Sequence, residues 1–200
     1  VRRCAFAVRE MNEAHGTHAL YAANVSGDGT DVLERAHFAK EAGATALMVA
    51  TGLVGSGWLH KLATDEKLRL PIIHHPAYSG GFVSPGVSGI VDYLQLGFLP
   101  RLFGADMMVF VSYGGRFTFT QEQCKRIAAY IKHPVGLMKA GCPAPGGGVT
   151  DARLTELVEL YGNDTMFLVG GDMFRRGPDL ESNMAYFVNR LEELSLNYME

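Results

Sequence analysis

Six short apolar runs, each leading into a stretch of helical patterning, constrain this chain more than any other feature. They are HALYAAN (His18 to Asn24), TALMVA (Thr45 to Ala50), PIIHH (Pro71 to His75), DMMVFV (Asp106 to Val111), PVGLMK (Pro134 to Lys139) and TMFLVG (Thr165 to Gly170). Most are continuous rather than alternating, which is the pattern of parallel strands covered on both faces. Between them lie DVLERAHFAKEAG, TQEQCKRIAAYIKH and TDARLTELVELYG, whose apolar residues recur at helical spacing. The last also carries boundary signals, with Thr150 or Asp151 as cap and Gly162 as stop. Strand, helix and strand joined by short links imply right-handed parallel crossovers.

Two α/β architectures satisfy that pattern, a doubly wound sheet and a TIM (β/α)8 barrel. A barrel needs eight units. The chain offers six, preceded by a helix, VRRCAFAVREMNEAHG, in which Val1, Cys4, Ala5, Val8 and Met11 share a face and Gly16 is the stop. A chain that opens inside a helix is expected to be part of something longer, a barrel fragment covering about strands 3 to 8.

Two glycine-rich stretches decide between the architectures. GCPAPGGGVTD (Gly141 to Asp151) and FLVGGDMF (Phe167 to Phe174) both put adjacent glycines after an apolar run and before a helical one. Glycine lets backbone approach a ligand closely, and amides at a helix start attract anions. In TIM barrels the loops after the last two strands often form a phosphate site. Counting back from the C-terminal end, these are those loops, so the two are expected to be halves of one phosphate cradle.

Composition narrows the functional classes. Two hundred residues suit one barrel domain over 1–200 with a substantial core. A net charge of -3 and a pI near 6.2 give no basic footprint for nucleic acid. The apolar runs are of strand length, which argues against a membrane span, and no secretory signal opens the chain. Cys4, Cys124 and Cys142 are odd in number and lack CxxC spacing, against both a disulfide framework and structural zinc. A cytoplasmic location is the expectation.

Catalytic groups of such a barrel sit at the C-terminal ends of the strands. Asn24 ends the first run. His74 and His75 end the third, and because neighbouring side chains in a strand point to opposite faces, only one can face the lumen. SYGGRF follows the fourth, where Gly114 and Gly115 could deliver Arg116 to an anion or a developing oxyanion. Lys139 ends the fifth run, pointing either into the site or to solvent. Met48, Met107, Met108, Met138 and Met166 lie in strand-like runs and read as core.

Together these stretches resemble the C-terminal barrel domain of the RuBisCO superfamily over nearly the whole chain. NVSGDGTDVLERAHFAKEAGA is similar to its third strand segment and helix, IIHHPA to a His-Arg-Ala stretch, GADMMVFVSYGGR to its sixth strand and loop, and PAPGGGVTD and VGGD to its seventh and eighth loops. The resemblance implies that His75 is the active-site histidine that contacts sugar hydroxyls during enolisation. It places Arg116 where carboxylating members have a lysine. It makes Gly147, Gly170 and Gly171, with Gly146 adjacent, the binders of one substrate phosphate. The arginine and histidine that hold a second phosphate correspond to Pro76 and Val109, which offer neither charge nor donors. The chain therefore resembles a RuBisCO-like protein and not a carboxylase of a bisphosphate.

The resemblance further implies a Mg²⁺-stabilised enediolate, with the metal on a Lys-x-Asp-Glu motif of an earlier strand that this sequence does not include. Asp28, Asp31, Asp106 and Asp172 do not form a substitute set, so no metal ligand is assigned. A homodimer is implied as well. Three functions follow: an enzyme of the 3-oxo-isoapionate 4-phosphate transcarboxylase/hydrolase type, with Arg116 gripping the substrate carboxylate; a methionine-salvage enolase or isomerase, with Val109, Phe110, Phe117 and Phe119 around a methylthio group; or a non-catalytic binding barrel.

Overall fold

A computed structural model describes residues 1–83, 89–115 and 118–196. Five parallel strands form one sheet: β1 (Ala22–Asn24), β2 (Ala46–Val49), β3 (Ile72–His74), β4 (Met107–Val111) and β5 (Cys142–Gly146). The order across the sheet is the order along the chain. A doubly wound sheet reverses strand order at a switch point, whereas a barrel never does. Because right-handed crossovers between successive neighbours all run over the same face, the helices cover one side of the sheet only. This is the barrel arrangement.

Ten helices accompany the strands among the described residues. The leading α1 (Arg2–His15) ends at Gly16, whose φ of 63° is left-handed. The crossovers carry α2 (Val32–Glu41), α3 (Thr51–Val54), α4 (Ser56–Thr64) and α5 (Gly80–Val83), then α6 (Leu99–Leu102) after a π-turn over Leu94–Phe98. The longer α7 (Gln121–Lys132) starts at a capping box in which Thr120 and Gln123 satisfy each other's backbone N–H groups. After it come α8 (Leu154–Tyr161), α9 (Gly171–Arg175) and α10 (Leu180–Leu196). Among the described residues no helix is long and apolar enough to cross a membrane.

Strand alternation sorts the core into two layers. Leu47, Val49, Ile72, Met108 and Phe110 point at the helices and join the main core with Leu59, Ile127, Ile131, Leu154 and Leu157. Ile73, Val109 and Ala144 point the other way and pack with Met48, Met107, Met166 and Leu168. That second, smaller cluster is the barrel lumen. Met138 belongs to neither.

The fifth run departs from the sequence expectation. Val135 and Met138 close a tight turn by two backbone bonds of 3.3 and 2.9 Å, Gly136 takes φ 56°, and Leu137 is fully exposed. The strand is CPAPG, seven residues beyond the start of that turn. Prolines ordinarily argue against a strand, but here both lie where the sheet can spare a donor. Residues 142, 144 and 146 face β4, while Pro143 and Pro145 face the sixth run. Their carbonyls accept from the Met166 and Leu168 amides at 2.9 and 3.1 Å. The ring nitrogens have no hydrogen to return. Half the ladder is therefore missing, and the sixth run joins the sheet through a single parallel bridge, Gly146 to Leu168. Lys139 consequently precedes the strand and lies at the N-terminal end of the sheet, away from the strand ends that build the site. Its carbonyl accepts from Arg101.

Candidate active site

A cavity of about 1010 Å³ opens at the C-terminal ends of the strands. Its lining brings together His75 and Pro76 after β3, Val109 on β4, Gly146, Gly147 and Gly148 after β5, and Gly170, Gly171, Asp172 and Arg175 around α9. His75 and both glycine loops, far apart in sequence, thus meet in one space. Arg116 and Phe117 lie outside the described residues.

The histidine pair divides as alternation requires. His74 shares the face of Ile72 and is wholly buried on the helix side, where its Nε2 pairs with Thr51 Oγ1 at 2.9 Å and its Nδ1 has no partner. Burial, with a smaller contribution from the neighbouring His75, pushes its pKa down to about 4. His74 is therefore neutral and structural. His75 extends β3 by one residue, donating its N–H to Val49 at 2.9 Å. Its Nδ1 accepts the Ala77 N–H at 3.2 Å. A nitrogen that accepts carries no proton, so the neutral ring holds its hydrogen on Nε2 as a donor.

The loop that carries His75 is tightly confined. Tyr78 adopts φ 64°, unusual for a residue with a side chain. A Cβ on Gly52, in α3, would come within 2.3 Å of the Ala77 carbonyl oxygen. Gly52 is thus a point of close backbone approach beneath the site.

The glycine turns differ in character. Gly146 is the last residue of β5, and Gly147 and Gly148 follow with φ of 76° and 75°. Two successive left-handed residues turn the chain sharply, and only glycine does so at little cost. Gly170 instead has an ordinary φ of -84° and caps α9. Among the described residues none of the Gly147, Gly148 and Gly170 amides donates to a protein acceptor.

A polar network that the sequence did not reveal ties the two loops together. Asp172 accepts the Asp151 N–H at 2.9 Å and the Arg175 guanidinium at 3.0 Å. The Asp151 bond, then the arginines, hold its carboxyl below the usual range. Asp151 in turn accepts from Tyr186 Oη at 2.8 Å and Arg176 at 3.3 Å. Nothing in the spacing of these residues marks them, because the contacts join segments that only the fold brings together.

The opposite wall is apolar. Val109 is nearly buried in the lumen cluster, Pro76 lies beside it in the lining, and Phe119 and Leu96 complete that side. Phe110 does not belong there as a side chain. It points into the helix layer, edge-on to Tyr161 with ring centres 5.8 Å apart.

Comparison with known proteins agrees with this fold. The chain is 33% identical over 181 residues to ribulose bisphosphate carboxylase-like protein 1 of Rhodopseudomonas palustris, covering 90% of this chain and 47% of that one. A solved RuBisCO-like protein from Alicyclobacillus acidocaldarius superposes with a TM-score of 0.88 at 28% identity, over 98% of this chain and 49% of its own. The chain belongs to the RuBisCO superfamily. Its likeness extends to a 2,3-diketo-5-methylthiopentyl-1-phosphate enolase of Exiguobacterium sibiricum, 34% identical over 167 residues, 82% of this chain and 42% of that enzyme. The chain spans about half the length, or less, of these relatives. No family model matches it. Within this family the apolar Pro76 and Val109 in the cavity lining become the informative residues.

Proposed function

We propose that this chain supplies the catalytic barrel of a RuBisCO-like enzyme that enolises a singly phosphorylated carbonyl substrate, and that the methylthio-pentyl phosphate class fits it best. The observation that carries the proposal is the asymmetry of the cavity. One side presents glycine turns in which the Gly147 and Gly170 amides, beside Gly171, have no protein acceptor among the described residues. The other presents Pro76 and Val109, where a second phosphate would require charge and donors. An apolar wall suits a thioether end, and the enolase named above is 34% identical to this chain over the 167 residues they share.

In this reading the glycine amides orient the phosphate. The Nε2–H of His75 donates to a substrate oxygen, which stabilises charge that develops as the adjacent carbon loses its proton. The lumen cluster keeps water from the apolar end. Mg²⁺, where bound, would supply Lewis-acid stabilisation of the negative charge that develops on the substrate. Among the described residues no group of three or more His, Cys, Asp or Glu could hold it, so no step here is assigned to the metal. We further propose that the intact protein is a homodimer.

The oxo-sugar-acid transcarboxylase/hydrolase reading rests on Arg116, outside the described residues. Assay of the full-length protein against 2,3-diketo-5-methylthiopentyl 1-phosphate, 3-oxo-isoapionate 4-phosphate, and ribulose bisphosphate with labelled CO₂ separates the readings. Turnover of the first alone is expected. Robust carboxylation would overturn the proposal, and turnover of the second would restore the role of Arg116. Gly170→Val is the matched structural test. A Cβ there meets nothing within 4 Å, so the variant should fold normally while its side chain fills the cradle and raises KM severely.

A further inference from the structure

We propose that Arg153 is a positioning residue for the phosphate cradle, clamping the turn after β4 onto the glycine turn after β5. The proposal rests on the phosphate reading above and adds a residue to it.

Arg153 closes the 3₁₀ turn Asp151–Arg153 just past the cradle, and its side chain is only 21% exposed. Its Nη1 donates to the Tyr113 carbonyl at 2.8 Å and the Gly148 carbonyl at 3.0 Å. One nitrogen therefore grips both turns. The guanidinium also lies over the Tyr113 ring, 4.5 Å from its centre. Its Nε reaches Glu156 at 3.3 Å, and the Tyr113 hydroxyl donates to the same carboxylate. A planar, multidentate cation is what such a junction requires, since a compact ammonium cannot stack and donate in two directions at once.

The clamp leaves no slack. A Cβ on Gly148 would lie 2.9 Å from the Gly115 nitrogen, and one on Gly115 would lie 3.1 Å from the Gly148 nitrogen. A Cβ on Gly114 would lie 2.7 Å from Arg153 Nη1. The two turns meet backbone to backbone with the guanidinium filling the remaining space. That matters because Gly147 and Gly148 are the least constrained residue type, with no side chain of their own to hold a conformation. Their amides point consistently only if something outside the turn holds it. Arg153 is absent from the cavity lining, so its effect passes through the turn and not through contact with the ligand.

The test is calorimetric titration of the full-length protein with inorganic phosphate, alongside melting temperature. Arg153→Ala should bind phosphate about tenfold more weakly, the effect of losing charge-assisted bonds that hold the turn. Arg153→Gln retains one donor group and should fall between the two. It decides the question if the alanine variant does not fold. A purely structural role would lower the melting temperature and leave phosphate affinity unchanged, and that result overturns the clamp while leaving the cradle intact. Failure of the unsubstituted protein to bind phosphate removes the cradle, and the clamp with it.

Discussion

His74 makes the stability of this chain depend on pH in a way that can be worked out in advance. The ring is neutral in the folded state, with a pKa of about 4 against 6.5 ordinarily. Unfolding exposes it to water, where it takes up a proton near 6.5. The folded pKa is depressed, so the stability is fully present above the unfolded value and drains away as pH falls from about 6.5 towards 4. Integrating the difference gives a loss of about 2 kcal/mol by pH 5 and about 3 kcal/mol by pH 4. Other groups titrate across that range, so the informative quantity is a difference between variants. His74→Gln keeps a donor for Thr51 but does not titrate. Urea unfolding of both proteins at pH 7.5, 6 and 5 should show the gap between them close, or reverse, by about 2 kcal/mol on acidification. Parallel curves would mean that His74 is protonated or solvated in the folded state, and that the burial argument is wrong.

Two further outcomes test the framework of the site. Gly52→Ala must displace the Ala77 carbonyl, which its Cβ would approach to 2.3 Å; a cost of about 1–3 kcal/mol by thermal melting, with impaired turnover as the His75 loop shifts, is expected. A stable and fully active variant would show that the contact is soft. Arg101 is buried, and its guanidinium donates to the carbonyls of Tyr130, His133 and Lys139 at 2.7 to 2.8 Å. Arg101→Met should therefore lower stability by at least about 3 kcal/mol in urea titration, since charge-assisted bonds are lost and carbonyls stranded; near-neutral behaviour would indicate that water replaces the cation.

Much of the architecture was legible because it depends on local rules. Continuous apolar runs specify strands covered on both sides, helical spacing specifies the crossovers, and Gly16 and Gly162 end helices where left-handed backbone is needed. Alternation alone required His74 and His75 to part, although it could not say which would be buried. The glycine turns and the loss of donors at Pro76 and Val109 could also be read from residue type, since neither property depends on a neighbour. Tertiary structure decided the rest. PVGLMK looks like a strand and CPAPG does not, yet the sheet accepted the prolines because their missing donors face the weakly paired sixth run. The helix side of β3 took His74, and the helix layer took Phe110. The bonds from Asp172 to Asp151 and from Arg153 to Tyr113 cross 21 and 40 residues of chain. No spacing rule encodes such contacts, because they exist only once the barrel has curled its strand ends into one rim.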